Sequence, residues 1–300
     1  MSSYTVTAST LNLRSEPSVA PKNRLATLPQ GQKVEKLGVH STQTDWWQVS
    51  TMLNGVSVTG YVNSQYLAPE GAPDNLPAAT SISPAHLTPK HPILRSAAEG
   101  RAFPLNENGM PSRAQGSATE KVRDLHRIIE WLGVASNPRY TKSKSETYCN
   151  IYAYDFCCLA GVYLPRVWWT RKAIAELAKG NPVAVQYEKT VSELSANSLN
   201  NWFEEFGSDF GWTRSFDINE VQEAANAGSV CFISGQRVDL NQSGHICAVV
   251  PETDDHRAQR KNGVVVTPLQ SQAGSNNFSY GGVVWWTASK FRRFSFWIHP

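Results

Sequence analysis

Glu146-Thr-Tyr-Cys149-Asn-Ile-Tyr-Ala-Tyr-Asp-Phe-Cys157 reads as a polar loop running into an apolar helix, with a cysteine at the junction. Apolar and aromatic side chains at positions 151, 152, 154, 156, 159 and 162 recur at separations of three and four, the period of a buried helix rather than of an alternating strand. Cys149 falls in the first turn. There the unpaired backbone N–H groups and the positive end of the helix dipole favour thiolate over thiol, so the sequence predicts a nucleophilic sulfur with a lowered pKa. The competing fate of a cysteine is burial as a small packing residue; Cys157 and Cys158, two turns further on, are read that way.

A nucleophilic thiol needs a base. Ser229-Val-Cys-Phe-Ile-Ser234 has the composition of a strand, a polar turn runs from Gln236 to Ser243, and Gly244-His245-Ile-Cys-Ala-Val-Val250 reads as a second strand. His245 begins that strand with its imidazole expected to face a cleft, and Gly244 permits close approach of another backbone. A third strand over 263–272 ends in Gln270 and Gln272, two residues apart and therefore on one face. Either amide can accept a hydrogen bond from the imidazole and hold its tautomer. Gln270 is the first choice for that role and Gln272 for a substrate or oxyanion donor, with the exchange left open. The backbone N–H of Cys149 is the other natural oxyanion donor. Trp168 and Trp169 offer flat apolar faces for a cleft wall, or equally for the core.

The order of helix-borne cysteine, strand-borne histidine and a polar residue on the next strand resembles the papain-like peptidoglycan hydrolases, the NlpC/P60 and CHAP group. The carriers are Cys149 opening its helix, the Ser-Gly-His245-Ile-Cys-Ala-Val-Val strand and the Gln270-x-Gln272 pair. The resemblance implies that Cys149 attacks an amide carbon in the peptide stem of bacterial cell wall, that His245 activates it, and that Gln270 or Gln272 orients the histidine. Tyr148, next to the nucleophile, and Trp168 are the candidates for contact with substrate. The sequence departs from the group where the usual Asp-Cys-Ser-Gly-Phe is replaced by Tyr148-Cys149-Asn150-Ile151-Tyr152, and where the third position is an amide. An amide orders a ring but supplies no charge to its cation.

The N-terminal third has a different texture. Short strand-like segments between turn residues indicate a small barrel over about 1–69. The words Leu11-Asn-Leu-Arg-Ser-Glu-Pro17, Leu28-Pro-Gln-Gly31-Gln-Lys-Val34, Trp46-Trp47-Gln-Val and Gly60-Tyr61-Val62-Asn63 resemble a bacterial SH3 domain, which implies a wall-binding or positioning role. Trp47, Val49, Tyr61 and Val62 are its expected core. From Pro69 to Pro111 the chain carries eight of its seventeen prolines, so 70–116 reads as a semi-stiff linker, free or draped over a domain. A cysteine hydrolase domain is expected over 117–300, opening with a helix whose Ser117-Ala-Thr-Glu120 has the spacing of a capping box. Helices first and an antiparallel sheet after them make the second domain α+β.

Composition sets bounds on partners. Five cysteines, with no Cys-x-x-Cys pair, offer no zinc framework; Cys231, His245 and Cys247 lack a fourth ligand, so no metal or other cofactor is expected. A formal net charge of +3 suits an anionic wall polymer but falls far short of a nucleic-acid footprint. No apolar run reaches membrane-span length, and the first residues lack a secretory signal. Synthesis in a cytoplasm and delivery to the wall by another system follow as expectations, as for a phage lysin or a secreted antibacterial effector with its secretion machinery and an immunity protein. The same Cys–His chemistry also admits a deamidase or transglutaminase toxin acting on proteins, and a silent wall-binding adaptor is the non-enzymatic alternative.

Overall fold

Seven short strands build the N-terminal unit: β1 (Ser2–Val6), β2 (Thr10–Arg14), β3 (Arg24–Pro29), β4 (Lys33–Val39), β5 (Trp46–Leu53), β6 (Val56–Asn63) and β7 (Leu67–Pro69). The structure is a computed structural model that describes residues 2–6, 10–18, 23–29, 31–53, 55–69, 82–144 and 146–300. It divides into two compact units, Met1–Ala79 and Thr80–Pro300. In the first, the strands form one antiparallel sheet in the order β3-β2-β6-β5-β4-β1-β7. Alternate residues point inward, and Val6, Leu11, Leu13, Leu28, Val34, Val49 and Val62 make the core. Trp47 and Tyr61 are only half-buried: the Lys36 ammonium lies 3.4 Å over the Trp47 ring, and His40 meets the Tyr61 ring edge-on.

The second unit begins earlier than its first helix. Residues 70–81 of the expected linker lie outside the described residues, but from Ile82 onward the segment is part of this unit's core. Ala85, Leu87, Ile93 and Leu105 are buried in it. Its backbone is tied down by side chains: the Ala85 N–H donates to the Tyr163 hydroxyl, and the Trp169 indole N–H to the Ser83 carbonyl. Of the two forms expected for 70–116, residues 82–116 take the draped one, without helix or strand, and the second unit therefore includes them rather than starting at 117. Proline removes N–H donors and so prevents regular ladders, yet the spaced apolar residues still bury, each contributing about 1.5–3 kcal/mol.

Five helices follow: α1 (Ala118–Leu132), α2 (Cys149–Leu159), α3 (Arg171–Ala178), α4 (Ala196–Phe206) and α5 (Ile218–Asn226). The Ser117–Glu120 capping box is present, and Gly133 closes α1 in the left-handed conformation at φ +53°. Nearly every residue of α2 is buried, because it lies between α1 and the sheet. Two short strands, β8 (Val167–Trp169) and β9 (Val191–Glu193), pair beside α3, and β10 (Thr213–Ser215) precedes α5.

The remaining strands are β11 (Val230–Arg237), β12 (His245–Val249), β13 (Gln259–Lys261), β14 (Val264–Thr267), β15 (Gln270–Gln272), β16 (Phe278–Gly281) and β17 (Phe291–His299). Six strands form an antiparallel sheet in the order β10-β17-β11-β12-β15-β16. Both its faces are covered. Phe232, Ile246 and Ala248 face the core that holds α2 and α4, while Cys231, Ile233, Cys247 and Val249 face a second core with Val221 and Ala225 of α5. That double burial explains the unbroken apolar runs of β11 and β12. The expected third strand over 263–272 is two strands: β14 pairs with β13 in a separate hairpin and β15 pairs with β12, with Pro268 and Leu269 between them. Residues 283–286 are irregular, and Val283 and Val284 are exposed. Among the described residues, no helix is long and apolar enough to cross a membrane.

Candidate active site

The first peptide unit of β12 is where the expected groups converge. The N-terminal end of α2 abuts this strand, and the backbone N–H of Ile246 faces the Cys149 sulfur and acts to lower its pKa. The backbone N–H groups of Cys149 and Asn150, at the start of α2, act in the same direction. These donors favour a thiolate, but Cys149 is 3% exposed and its burial outweighs them, pushing the thiol above its ordinary pKa. The expectation of a lowered pKa is thus corrected for this resting arrangement: helix-start amides are present, yet loss of water is the larger effect. Among the described residues no hydrogen bond joins the sulfur to the imidazole; the two are linked through the backbone between His245 and Ile246.

His245 Nε2 lies 2.7 Å from Gln272 Oε1. The Gln272 amide nitrogen donates to the Asn276 carbonyl at 3.1 Å, which fixes which end of the amide faces the ring. An oxygen facing Nε2 requires a proton on Nε2, so Nδ1 carries the lone pair. Gln270, the first choice from sequence, does something else. It is fully buried, donates to the Val283 and Pro268 carbonyls, and its oxygen accepts from the Cys247 thiol. The correction has a simple cause: β15 places both amides on one face, but only Gln272 is at the strand end level with the start of β12. Pairing of Val249 with Gln270 puts Gln270 at the far end of β12 from His245.

Burial lowers the His245 pKa to about 4, opposed by the hydrogen bond with Gln272 and reinforced by the positive charge of Lys290. At neutral pH the ring is therefore unprotonated and the Cys149 thiol un-ionised. The ring lies edge-on to Trp285, with centroids 4.5 Å apart. Trp285 reaches it because Gly235, the residue paired with His245, has no side chain; a Cβ there would sit 2.7 Å from the indole. Trp285 was not legible as a site residue, since nothing in its local sequence marks it. The same holds for Asn197 in α4, whose side chain accepts from the Arg237 N–H and donates to the Leu240 and Gln242 carbonyls, fixing the turn that leads into His245.

A cavity of about 380 Å³ opens beside the ring, lined by Thr147, His245, Gln272, Gly274, Phe278 and Trp285 among others. Of the two side chains expected at the substrate, Tyr148 is half-buried next to Cys149, with the Arg101 guanidinium 3.6 Å over its ring. Trp168 is not a cleft wall. It is 5% exposed and packed among Tyr163, Trp202, Phe206 and Phe210. A cluster that large buries more apolar area together than a tryptophan at a cleft could. All five cysteines are free, and no cluster of three or more His, Cys, Asp or Glu able to hold a metal occurs among the described residues.

Fold and sheet define a two-unit α+β protein whose first unit carries a bacterial SH3 domain: residues 9–68 match the family described as Bacterial SH3 domain. No curated protein matches the chain. Among solved structures it is similar to NlpC2 from Trichomonas vaginalis, at 11% identity and TM-score 0.22, covering 98% of this chain and 73% of that one. It is likewise similar to NlpC1 from Trichomonas vaginalis, at 10% identity and TM-score 0.25, covering 100% of this chain and 69% of that one.

Proposed function

We propose that the chain is a peptidoglycan hydrolase: the SH3 unit binds bacterial cell wall, and the second unit cleaves an amide in the wall's peptide stem, as an endopeptidase or an amidase, with Cys149 as nucleophile, His245 as base and Gln272 as the residue that orients it. The reading is carried by the ordered imidazole, whose Nε2–H is held by Gln272 at 2.7 Å, with the backbone N–H of the next residue on the same strand acting on the Cys149 sulfur. Nδ1 accepts the thiol proton as sulfur bonds to the amide carbon, and the carbonyl π electrons move to oxygen. Backbone N–H groups at the start of α2 stabilise that oxyanion. Collapse expels the amine, which takes the proton from Nδ1, and leaves a thioester. Water, deprotonated by the same nitrogen, then releases the acid and restores the thiol. A neutral thiol beside a neutral base is suited to this concerted transfer and does not require a preformed ion pair.

The test is mass spectrometry of purified sacculi incubated with the full chain and with Cys149→Ala. New stem-peptide fragments from the first and none from the second are expected; fragments from both would remove Cys149 from the chemistry, and fragments from neither would leave a wall-binding adaptor.

A further inference from the structure

Every guanidinium in a protein interior needs acceptors, and most arginines of the second unit have them. Arg139 pairs with Asp155, Arg214 with Glu204 and Arg260 with Glu252. Arg237 does not: its side chain makes no hydrogen bond or ion pair among the described residues, and its Nε–H is buried with no partner. It lines the cavity beside His245. So does Lys290, which is exposed and likewise has no acid partner. The two are neighbours across the sheet edge: Arg237 pairs with Phe291, and the Val238 N–H donates to the Lys290 carbonyl at 3.0 Å. Both cations lie over the same ring, at 5.5 Å and 5.6 Å from the Phe291 centroid. Among the described residues no Asp or Glu lines this cavity, so its described charged lining is entirely positive.

We propose that Arg237 and Lys290 form a carboxylate-binding subsite next to His245, and that the molecule seated there is an anionic peptide. The inference rests on the hydrolase reading for the source of that peptide, but not for the chemistry of its recognition. A guanidinium with free N–H groups matches the two oxygens of a carboxylate, and a lysine adds a mobile point charge. The aromatic walls, Trp285 and Phe291, receive the apolar part of the chain. A volume of about 380 Å³ lies within the ~300–1,000 Å³ of small-ligand sites, room for a few residues of peptide. The subsite also acts on the base. Lys290 opposes protonation of His245 in the empty site. An anion paired with Lys290 cancels that opposition, so seating the substrate strengthens the base that must take the thiol proton.

The experiment uses the full chain carrying Cys149→Ala, titrated calorimetrically with muropeptides released from sacculi by a glycosidase, in native form and with their carboxyl groups converted to amides. Native peptides should bind at least tenfold more tightly than amidated ones. Arg237→Gln with Lys290→Gln should reduce the native affinity to the amidated level, and the exposed Lys290→Gln alone, which cannot disturb folding, should lose part of it. Equal affinities, no binding by either form, or a preference that survives both substitutions overturns the subsite. Sacculus digestion by the unsubstituted chain separates the two readings. Binding preference without released fragments ends the hydrolase reading and keeps the subsite; fragments without preference do the reverse.

Discussion

Replacing Gln272 with alanine removes the acceptor of the His245 Nε2–H and the donor to the Asn276 carbonyl. The neutral hydrogen bond to the ring is worth about 1 kcal/mol net, and an N–H left without an acceptor in a half-buried site costs about 1–3 kcal/mol more. The ring escapes that cost by rotating or by moving its proton to Nδ1, and either response removes the lone pair from the thiol. A loss of about 2–3 kcal/mol in the reactive arrangement corresponds to a fall of about 30–150-fold in kcat/KM. The assay is the rate of fragment release from sacculi as a function of pH. Because burial holds His245 at about 4, the neutral base is present above that pH, and the acid limb of the wild-type profile should lie near 4. Gln272→Glu puts a carboxylate against the ring, favours the imidazolium and moves the limb to higher pH. Gln270→Ala is the control: it opens bonds to the Val283 and Pro268 carbonyls, so it should lower the melting temperature and leave the acid limb in place. Full activity in Gln272→Ala with an unmoved limb, or a loss of activity confined to a well-folded Gln270→Ala, would refute the assignment of the orienting role.

Other outcomes follow from the same geometry. Cys149, buried with its pKa raised, should react with iodoacetamide at neutral pH more slowly than free N-acetylcysteine, and faster only as pH rises beyond the ordinary thiol range; a fast reaction at pH 7 would contradict the burial of the sulfur. His245 is held below its ordinary 6.5, so the unfolded chain binds the proton more readily: stability is complete above about pH 6.5 and falls as pH drops toward 4, by at most about 3 kcal/mol because the ring keeps an edge in the cavity. His245→Gln should flatten that part of a denaturation series. Asp155→Ala strips Arg139 and Tyr140 of their shared acceptor inside the core and should cost about 3–5 kcal/mol, read as a fall in melting temperature. Gly244→Ala drives a Cβ to 2.8 Å from the Asn197 backbone nitrogen and 2.9 Å from the Gly235 carbonyl, so it should displace the start of β12 and lower both activity and stability.

The amino-acid sequence by itself determined the local elements. A capping box at Ser117, an apolar period from Ile151 and unbroken apolar runs around Phe232 and Ala248 specify a helix, a buried helix and two central strands without reference to the rest of the chain. The dense short strands between turn residues over the first 69 residues likewise mark the N-terminal antiparallel sheet, and residue type at the helix start and strand start brought forward Cys149 and His245. Three things were decided only in three dimensions. Register chose Gln272 over Gln270, because the two amides have the same face and differ only in which end of β12 they meet. Burial reversed the expected thiol pKa, since desolvation depends on everything packed around α2 rather than on the helix that carries the sulfur. Apolar residues of the proline-rich segment from Ile82 onward became core and Trp168 left the cleft because an apolar side chain goes wherever the most surface can be covered, and that place is set by residues far away in the chain.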